Sequence, residues 1–401
     1  MASPSLDRYD PDQAPTSRDK GFDKVLDGIH RGVVAVDRFI NRVIPEEFNP
    51  FYYLGGMTNV LWILLVPTGI FLWFYYKPTT ADAFSSVNYL TAVVPFGGVI
   101  RGLHRYAGDG MILLAILHML RNYFTDRYRG FRDVPWVSGV VLLLLTGLVG
   151  MTGYLLVWDQ RALIVTTAIV QALQSLDGIV GGLGSFMAKA LLAGNEPNNL
   201  TLARMFFLHV GPAVLIFFFL WVHYLRLHRP KIWPPMFVTL LTVGAVVLAA
   251  GILPVEKTLA AGVPLSAAGS ENIVYDIFYL LPVLALPNLG GAGVLALLVL
   301  IFGILFIVPW LPRKKHRYVN VAFVTPENCT GCQLCAIDCP FDAIVMVEGA
   351  NPNPRNKELA VVNDDKCAEC GICVGACPFH AINLPLANED MIKDKVVALL
   401  S

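Results

Sequence analysis

Long apolar stretches alternate with short polar connections over most of the chain, and six of them are long enough to cross a bilayer. They run over 52–76, 104–124, 136–157, 205–226, 234–253 and 291–311, each near the roughly 20 residues that a helix needs to span the hydrocarbon layer. These are spans A to F. Ahead of A, residues 22–43 place Phe22, Val25, Leu26, Ile29, Val33, Val36 and Ile40 at helical spacing. That pattern predicts an amphipathic helix lying on the membrane surface, or packed on a soluble domain. Residues 1–21 are polar, carry Pro4, Pro11 and Pro15, and read as a tail without fixed structure and without a signal peptide. Residues 162–193 set Gly178, Gly181, Gly182 and Gly184 between two helical stretches, predicting short interfacial helices, and 254–290 has a similar mix. After span F a basic run, Arg313-Lys314-Lys315-His316-Arg317, ends the apolar part of the chain.

The basic residues orient the spans. Arg121, Arg127, Arg129 and Arg132 lie in or beside the B–C connection, and Arg226, Arg229 and Lys231 in the D–E connection. With six spans, these and the run after F fall on one face. The other face spreads Lys77, Arg101, Arg161, Lys189, Arg204 and Lys257 over longer loops. Both termini are therefore expected in the cytoplasm of a bacterial inner (plasma) membrane. Composition agrees with a membrane protein: 55% hydrophobic, 15% charged, net charge zero, which gives no basis for nucleic-acid binding.

Ionisable residues inside spans are costly and usually functional. His104 and His118 are 14 residues apart, as are His209 and His223. Fourteen residues make about 3.9 helical turns, so both members of a pair share a face about 21 Å apart along the axis. Spans B and D run in the same direction. His104 should therefore meet His209 near the outer face, and His118 should meet His223 near the cytoplasmic face. Two facing imidazoles are what a six-coordinate haem iron needs, so the pairs predict two stacked haems b in a four-helix core. Gly55 and Gly69 in A, and Gly139 and Gly153 in C, repeat the 14-residue offset on the helices without histidines; close approach of a macrocycle edge needs glycine. Arg101, Arg105 and Arg204 gather at the outer end, suited to haem propionates.

All eight cysteines lie in the last quarter, as Cys329-x-x-Cys332-x-x-Cys335-x-x-x-Cys339-Pro340 and Cys367-x-x-Cys370-x-x-Cys373-x-x-x-Cys377-Pro378. This is the bacterial dicluster ferredoxin spacing, with the fourth cysteine of each run serving the other cluster. One [4Fe–4S] cluster should take Cys329, Cys332, Cys335 and Cys377, and the other Cys367, Cys370, Cys373 and Cys339. Zinc is the competing reading, which the Cys-Pro ends and the repeat of Cys339-Pro-Phe-Asp-Ala-Ile344 in Cys377-Pro-Phe-His-Ala-Ile382 oppose. The insert 348–363, with three Asn and two Pro near its middle, reads as a hairpin excursion or a docking surface. Only some 17 residues separate span F from Cys329, so the clusters hang directly beneath the membrane.

Spans A to D resemble cytochrome b of quinol–cytochrome c reductases, most of all the short form of the chloroplast-type cytochrome bf complex. The resemblance rests on Phe51-Tyr-Tyr-Leu-Gly-Gly56, Ala83-Phe-Ser-Ser-Val87, His104-Arg105, Gly150-Met-Thr-Gly-Tyr154 and Trp158-Asp-Gln160. Residues 234–311 resemble two spans of that complex's small companion subunit, ending Val308-Pro-Trp-Leu311. The resemblance thus implies an all-α six-span bundle with a C-terminal α+β ferredoxin-like domain: an amphipathic helix 22–43, a dihaem domain 44–230, a companion-like region 231–311, a linker 312–326 and a ferredoxin domain 327–401. Relatives with a third, covalent haem carry a Cys where this chain has Tyr53, so no covalent haem is expected. The family's outer quinol site carries Pro-Glu-Trp-Tyr. Aligning Pro282-Val283 puts Asp276-Ile277-Phe278-Tyr279 there, so the usual Glu is absent, Asp276 is the nearest carboxylate and Tyr279 is kept. His228, five residues after His223, sits where some relatives touch quinone at the inner site. The resemblance implies an electron-transfer subunit of a quinone oxidoreductase, working with other subunits (a Rieske protein, cytochrome c or a cytoplasmic donor) and as a homodimer. Three flows are open: clusters to inner haem to quinone, outer quinol oxidation with branched flow, or a conduit with no quinone site.

Overall fold

The computed structural model describes residues 28–384, except 30–31, 34, 37–38, 41, 46–47, 125–127, 129–131, 226–231, 254, 256–278, 312–320, 340, 353–355, 364–366 and 368–371. His228, Asp276, Cys370, the N-terminal tail and the linker therefore fall outside the described residues, wholly or in most part.

All six apolar segments are helical. They are α1 (Leu54–Trp73), α3 (Gly97–Phe124), α4 (Asp133–Leu156), α7 (Asn199–Leu225), α8 (Met236–Ile252) and α9 (Leu281–Ile307), with α2 (Ala83–Ala92) between the first two. Helix α1 packs along α3 and α4 along α7, and these two pairs make the core; α8 lies against α3 and α1. By length and apolarity α1, α4, α7 and residues 288–310 each qualify as spans, and α2 with α3 qualifies as a pair bent by 112°. Two departures from the expected boundaries have physical causes. Helix α3 starts seven residues early, and its first two turns bury Gly97, Arg101 and Gly102, so a charged residue there sits inside a helix. Helix α9 starts at Leu281, where a loop was expected, and Gly290 at φ 66 breaks it; only glycine adopts that angle without strain. Helix α8, at 17 residues, is apolar, about 25 Å long and shorter than the helices that qualify as spans.

With no water in the hydrocarbon layer, side-chain hydroxyls must find partners on the chain itself. Thr58, Thr68, Ser138 and Thr152 each donate to the carbonyl four residues back, at 2.7–2.9 Å. Outward-facing residues such as Ile63, Val214, Phe217, Trp221 and Val299 are exposed, an apolar surface of the kind that lipid covers. The described residues between 28 and 40 are helical, with Ile29, Val36 and Phe39 exposed. Helices α5 (Gln160–Gln174) and α6 (Leu183–Leu192) form where two short helices were expected. Asp159 caps α5 by accepting the Ala162 amide at 2.9 Å.

The C-terminal region is small. Strand β1 (Phe323–Val324) pairs antiparallel with β4 (Ile382–Asn383), and β2 (Ile344–Glu348) with β3 (Glu358–Val362). Helices α10 (Leu334–Ile337) and α11 (Ile372–Ala376) complete it. The sequence repeat is a structural one. Asp342 and His380 both take φ near +50°, which turns the chain so that the Ala343 amide donates to Cys339 Sγ and the Ala381 amide to Cys377 Sγ, each at 3.3 Å. The insert between β2 and β3 is a hairpin excursion that folds back: Asn351 and Asn356 both donate to the Cys329 carbonyl, at 2.9 and 3.1 Å.

Candidate redox centres

Helices α3 and α7 face each other across the core, and their histidines meet in two pairs. The ring centroids of His104 and His209 are 6.2 Å apart, and those of His118 and His223 are 6.4 Å apart. Two imidazoles bound through nitrogen to one metal, at about 2 Å each, place their centroids roughly 6 Å apart. Each pair is therefore spaced for one iron between its rings.

The glycines position those rings. A Cβ added at Gly69 would lie 3.0 Å from His104 Cε1, at Gly55 3.0 Å from His118, at Gly153 2.9 Å from His209 and at Gly139 3.3 Å from His223. The nearest protein neighbour of each glycine is thus the imidazole edge. Gly153→Val is expected to push His209 aside and lower retention of the haem at that pair, at a cost of roughly 1–3 kcal/mol of packing. Haem content per chain checks this.

Three of these glycines follow a hydroxyl residue that holds the ring. Thr68 Oγ1 lies 3.0 Å from His104 Nδ1, Ser138 Oγ 3.1 Å from His223 Nδ1 and Thr152 Oγ1 3.5 Å from His209 Nδ1. His209 Nδ1 also lies 2.8 Å from the Val149 carbonyl. A partner on Nδ1 leaves Nε2 for iron and fixes the ring plane. His118 differs. Leu54 precedes its glycine, and Asn122 Nδ2 approaches both ring nitrogens at 3.4 Å. The signal for these hydroxyls, a Ser/Thr-Gly dipeptide three times over, was present in the sequence.

In the C-terminal region a cavity is lined by Cys329, Cys332, Cys335 and Cys377: three cysteines of the first run and the last of the second. Burial, reinforced by the neighbouring thiols of Cys377, Cys329 and Cys332, pushes the Cys335 thiol up to about 11. Cationic iron is what lets four such sulfurs stay together as thiolates. Of the second set Cys367, Cys373 and Cys339 are described and pack in the same core.

The family pattern Cytochrome b/b6/petB matches residues 39–231. Cytochrome b6 of Synechococcus sp. (strain CC9311) is 38% identical over 202 residues, covering 50% of this chain and 90% of that protein. The chain belongs to the cytochrome b/b6 family. Cytochrome b6 of Prochlorococcus marinus (strain NATL1A) is 37% identical over the same length. A 4Fe-4S dicluster domain matches residues 312–381. A solved structure titled hyperthermophilic respiratory Complex III shares the fold, with a TM-score of 0.54 and 22% identity, over 69% of this chain and 81% of that one. This cytochrome b/b6 protein is thus an integral membrane electron-transfer subunit of a quinol-oxidoreductase type, with two b haems and two [4Fe–4S] clusters as its cofactors.

Arg101 lies close enough to Arg105 and Arg161 to feel their charges, and each of the three arginines expected at one end has its own partner. Arg101 is buried, its Nη1 3.4 Å from the Val255 carbonyl, while Arg204 donates to the Ala190 carbonyl. Arg105 bonds Asp109 and the Tyr154 hydroxyl. Sequence alone did not single out Arg121. It lies three residues after His118, mirroring Arg101 three before His104, stacks 4.8 Å over the Tyr52 ring and donates to the Phe51 carbonyl. That position suits a propionate at the second pair. Tyr279 is buried. Its hydroxyl donates to the Gly108 carbonyl at 2.5 Å, and its ring lies on Gly150, where an added Cβ would meet it at 1.9 Å.

Proposed function

We propose that this subunit carries electrons from a reduced donor on the ferredoxin side to quinone bound beside the His118/His223 pair. The observation that carries this reading is a contact between the two halves of the chain. Phe341, two residues past Cys339, lies under the Arg132 guanidinium at 5.8 Å. Arg132 is the cap residue of α4, and the next turns of α4 supply Ser138 and Gly139 to His223. One cluster's ligand loop is therefore seated on the helix that positions one haem's ligand. The clusters and haems supply the one-electron redox centres, and the protein sets their spacing, burial and proton access.

In this reading the ferredoxin region and N-terminus face the cytoplasm of a bacterial plasma membrane. His228 holds or donates a proton at the quinone. The partners are a cytoplasmic reductant and the other subunits of a bc-type complex, with a Rieske or cytochrome c protein and a second copy of this chain as the family assembly implies.

Rapid mixing with a reduced ferredoxin-type donor tests it. Haem at the His118/His223 pair should become reduced first. Arg132→Ala should slow that phase roughly two- to fivefold, the factor that loss of about 0.5–1 kcal/mol of cation–π contact commands, with both haem spectra kept. His228→Ala should slow quinone reduction alone. Reduction of the His104/His209 haem first, or no effect of Arg132→Ala and Phe341→Ala, would refute it.

A further inference from the structure

Helix α3 places a carboxylate where the hydrocarbon layer is expected. Asp109 stands twelve residues into the helix, about 18 Å from its start and between the levels of His104 and His118. Among the described residues of the membrane helices it is the one acid away from a helix end. An ionised side chain at that depth is retained only for a reason.

Its surroundings supply one. Asp109 Oδ1 pairs with Arg105 Nη1, and Arg105 Nη2 bonds the Tyr154 hydroxyl while its guanidinium lies 4.6 Å over the Tyr154 ring. The Tyr154 and Tyr279 rings are 6.3 Å apart, and the Tyr279 hydroxyl is tied to the carbonyl of Gly108, the residue before Asp109. The side chains of Arg105 and Asp109 keep 27% and 17% of their exposure, so the group is reachable. Of these four side chains Asp109 is the one whose ordinary form is the deprotonated one. Arg has no lone pair to offer, and a tyrosine hydroxyl is already protonated below about 10. Arg105 pairs with the carboxylate before the transfer, and after it keeps the Tyr154 hydroxyl and ring as hydrogen-bond and cation–π partners. The position where the family carries a glutamate is Ile277 here, which leaves a base to be found elsewhere.

We propose that Asp109 is the proton acceptor for a hydroquinone bound against Tyr154 and Tyr279, on the His104/His209 side of the membrane. The hydroquinone O–H bond breaks and its proton forms an O–H bond on the Asp109 carboxylate, which passes it to water. The second hydroxyl proton follows the same route. One electron goes to the oxidised haem at the His104/His209 pair and one to a one-electron carrier protein of the surrounding complex, leaving quinone. This goes beyond the ferredoxin-to-quinone reading, concerns the opposite face and does not depend on it.

The test uses the whole complex purified from membranes, with a short-chain hydroquinone as substrate. Asp109→Asn should lower kcat for hydroquinone oxidation about 100-fold or more, the usual worth of a positioned base, with KM within about threefold and both haem potentials kept. Asp109→Glu should stay within about tenfold of the parent. The infrared difference spectrum on hydroquinone addition should show a protonated carboxyl band that moves in Asp109→Glu and disappears in Asp109→Asn. A parental kcat in Asp109→Asn, a carboxyl band that ignores both substitutions, or loss of turnover in Asp276→Asn but not Asp109→Asn would each overturn the proposal. Should Asp109→Asn lose haem, the position of the band in the parent and in Asp109→Glu decides by itself. Donor-driven reduction of the other haem, measured in the same samples, reports separately on the preceding reading.

Discussion

His223→Ala is expected to yield a protein with about one b haem per chain in place of two, and His118→Ala the same, while His104→Ala and His209→Ala empty the other pair. Each pair sets one imidazole from α3 against one from α7, with ring centroids 6.2 and 6.4 Å apart, the spacing that two imidazoles on a single iron would need. Removing one ring would leave an iron held there with a single protein ligand, beside the gap that the imidazole filled against Gly139. Ser138 Oγ, which lies 3.1 Å from the ring, then keeps only its bonds to the Val134 and Pro135 carbonyls. The two sites should fail independently, because about 21 Å of helix separates them and each has its own glycine and hydroxyl. Haem extracted from each variant, with the redox spectrum of the haem that remains, decides the matter. Full haem content in His223→Ala would sink the pairing. A haem that survives acid–acetone extraction would show a covalent bond that Tyr53, standing where some relatives have cysteine, does not provide.

The ligand pattern was legible because both metal sites are written in spacings. The 14-residue interval fixes a helical face, and the cysteine runs fix a local loop, so neither needs the rest of the fold to be interpreted. The apolar spans were legible for the same reason: lipid imposes a length and a composition that survive in the sequence alone. Span boundaries were harder where polar residues enter. Helix α3 was placed too late because Arg101, with Gly97, Gly98 and Gly102 around it, looks like part of a loop. Helix α9 was placed too late because Gly290 looks like an end and is a kink.

The groups that connect the sites were not legible. The Arg132–Phe341 contact joins residues more than 200 positions apart, and nothing periodic marks either of them. The tie between Tyr279 and Gly108 is equally remote in sequence. Asp109 was visible as an acid in an apolar span but acquires meaning only with Tyr154 and Tyr279 beside it. The hydroxyls before Gly69, Gly139 and Gly153 are the intermediate case. The dipeptide repeats with the same 14-residue logic as the glycines, so the pattern was present, yet its purpose appears only when the imidazole nitrogens are seen 3.0–3.5 Å away.

Cys377→Ala should lose the cluster that the first cysteine run holds, although Cys377 lies about 40 residues away in the second run. The cavity bounded by Cys329, Cys332 and Cys335 is closed by Cys377 and not by the nearer Cys339, and the Cys335 thiol senses Cys377 ahead of its own run's Cys329 and Cys332. Iron and sulfide should each fall from about eight to about four per chain, since a [4Fe–4S] cubane missing one thiolate is poorly held. Cys339→Ala should give the same totals by losing the other cluster, so single variants cannot separate crossed from uncrossed ligation. A double variant can. Cys332→Ala with Cys377→Ala removes two ligands of one cluster if the ligation is crossed, and about four irons remain. If each run served its own cluster, the same double variant would damage both and leave almost none. Iron analysis of that one protein, prepared anaerobically, separates the two arrangements, and zinc at one or two per chain in place of iron would refute both.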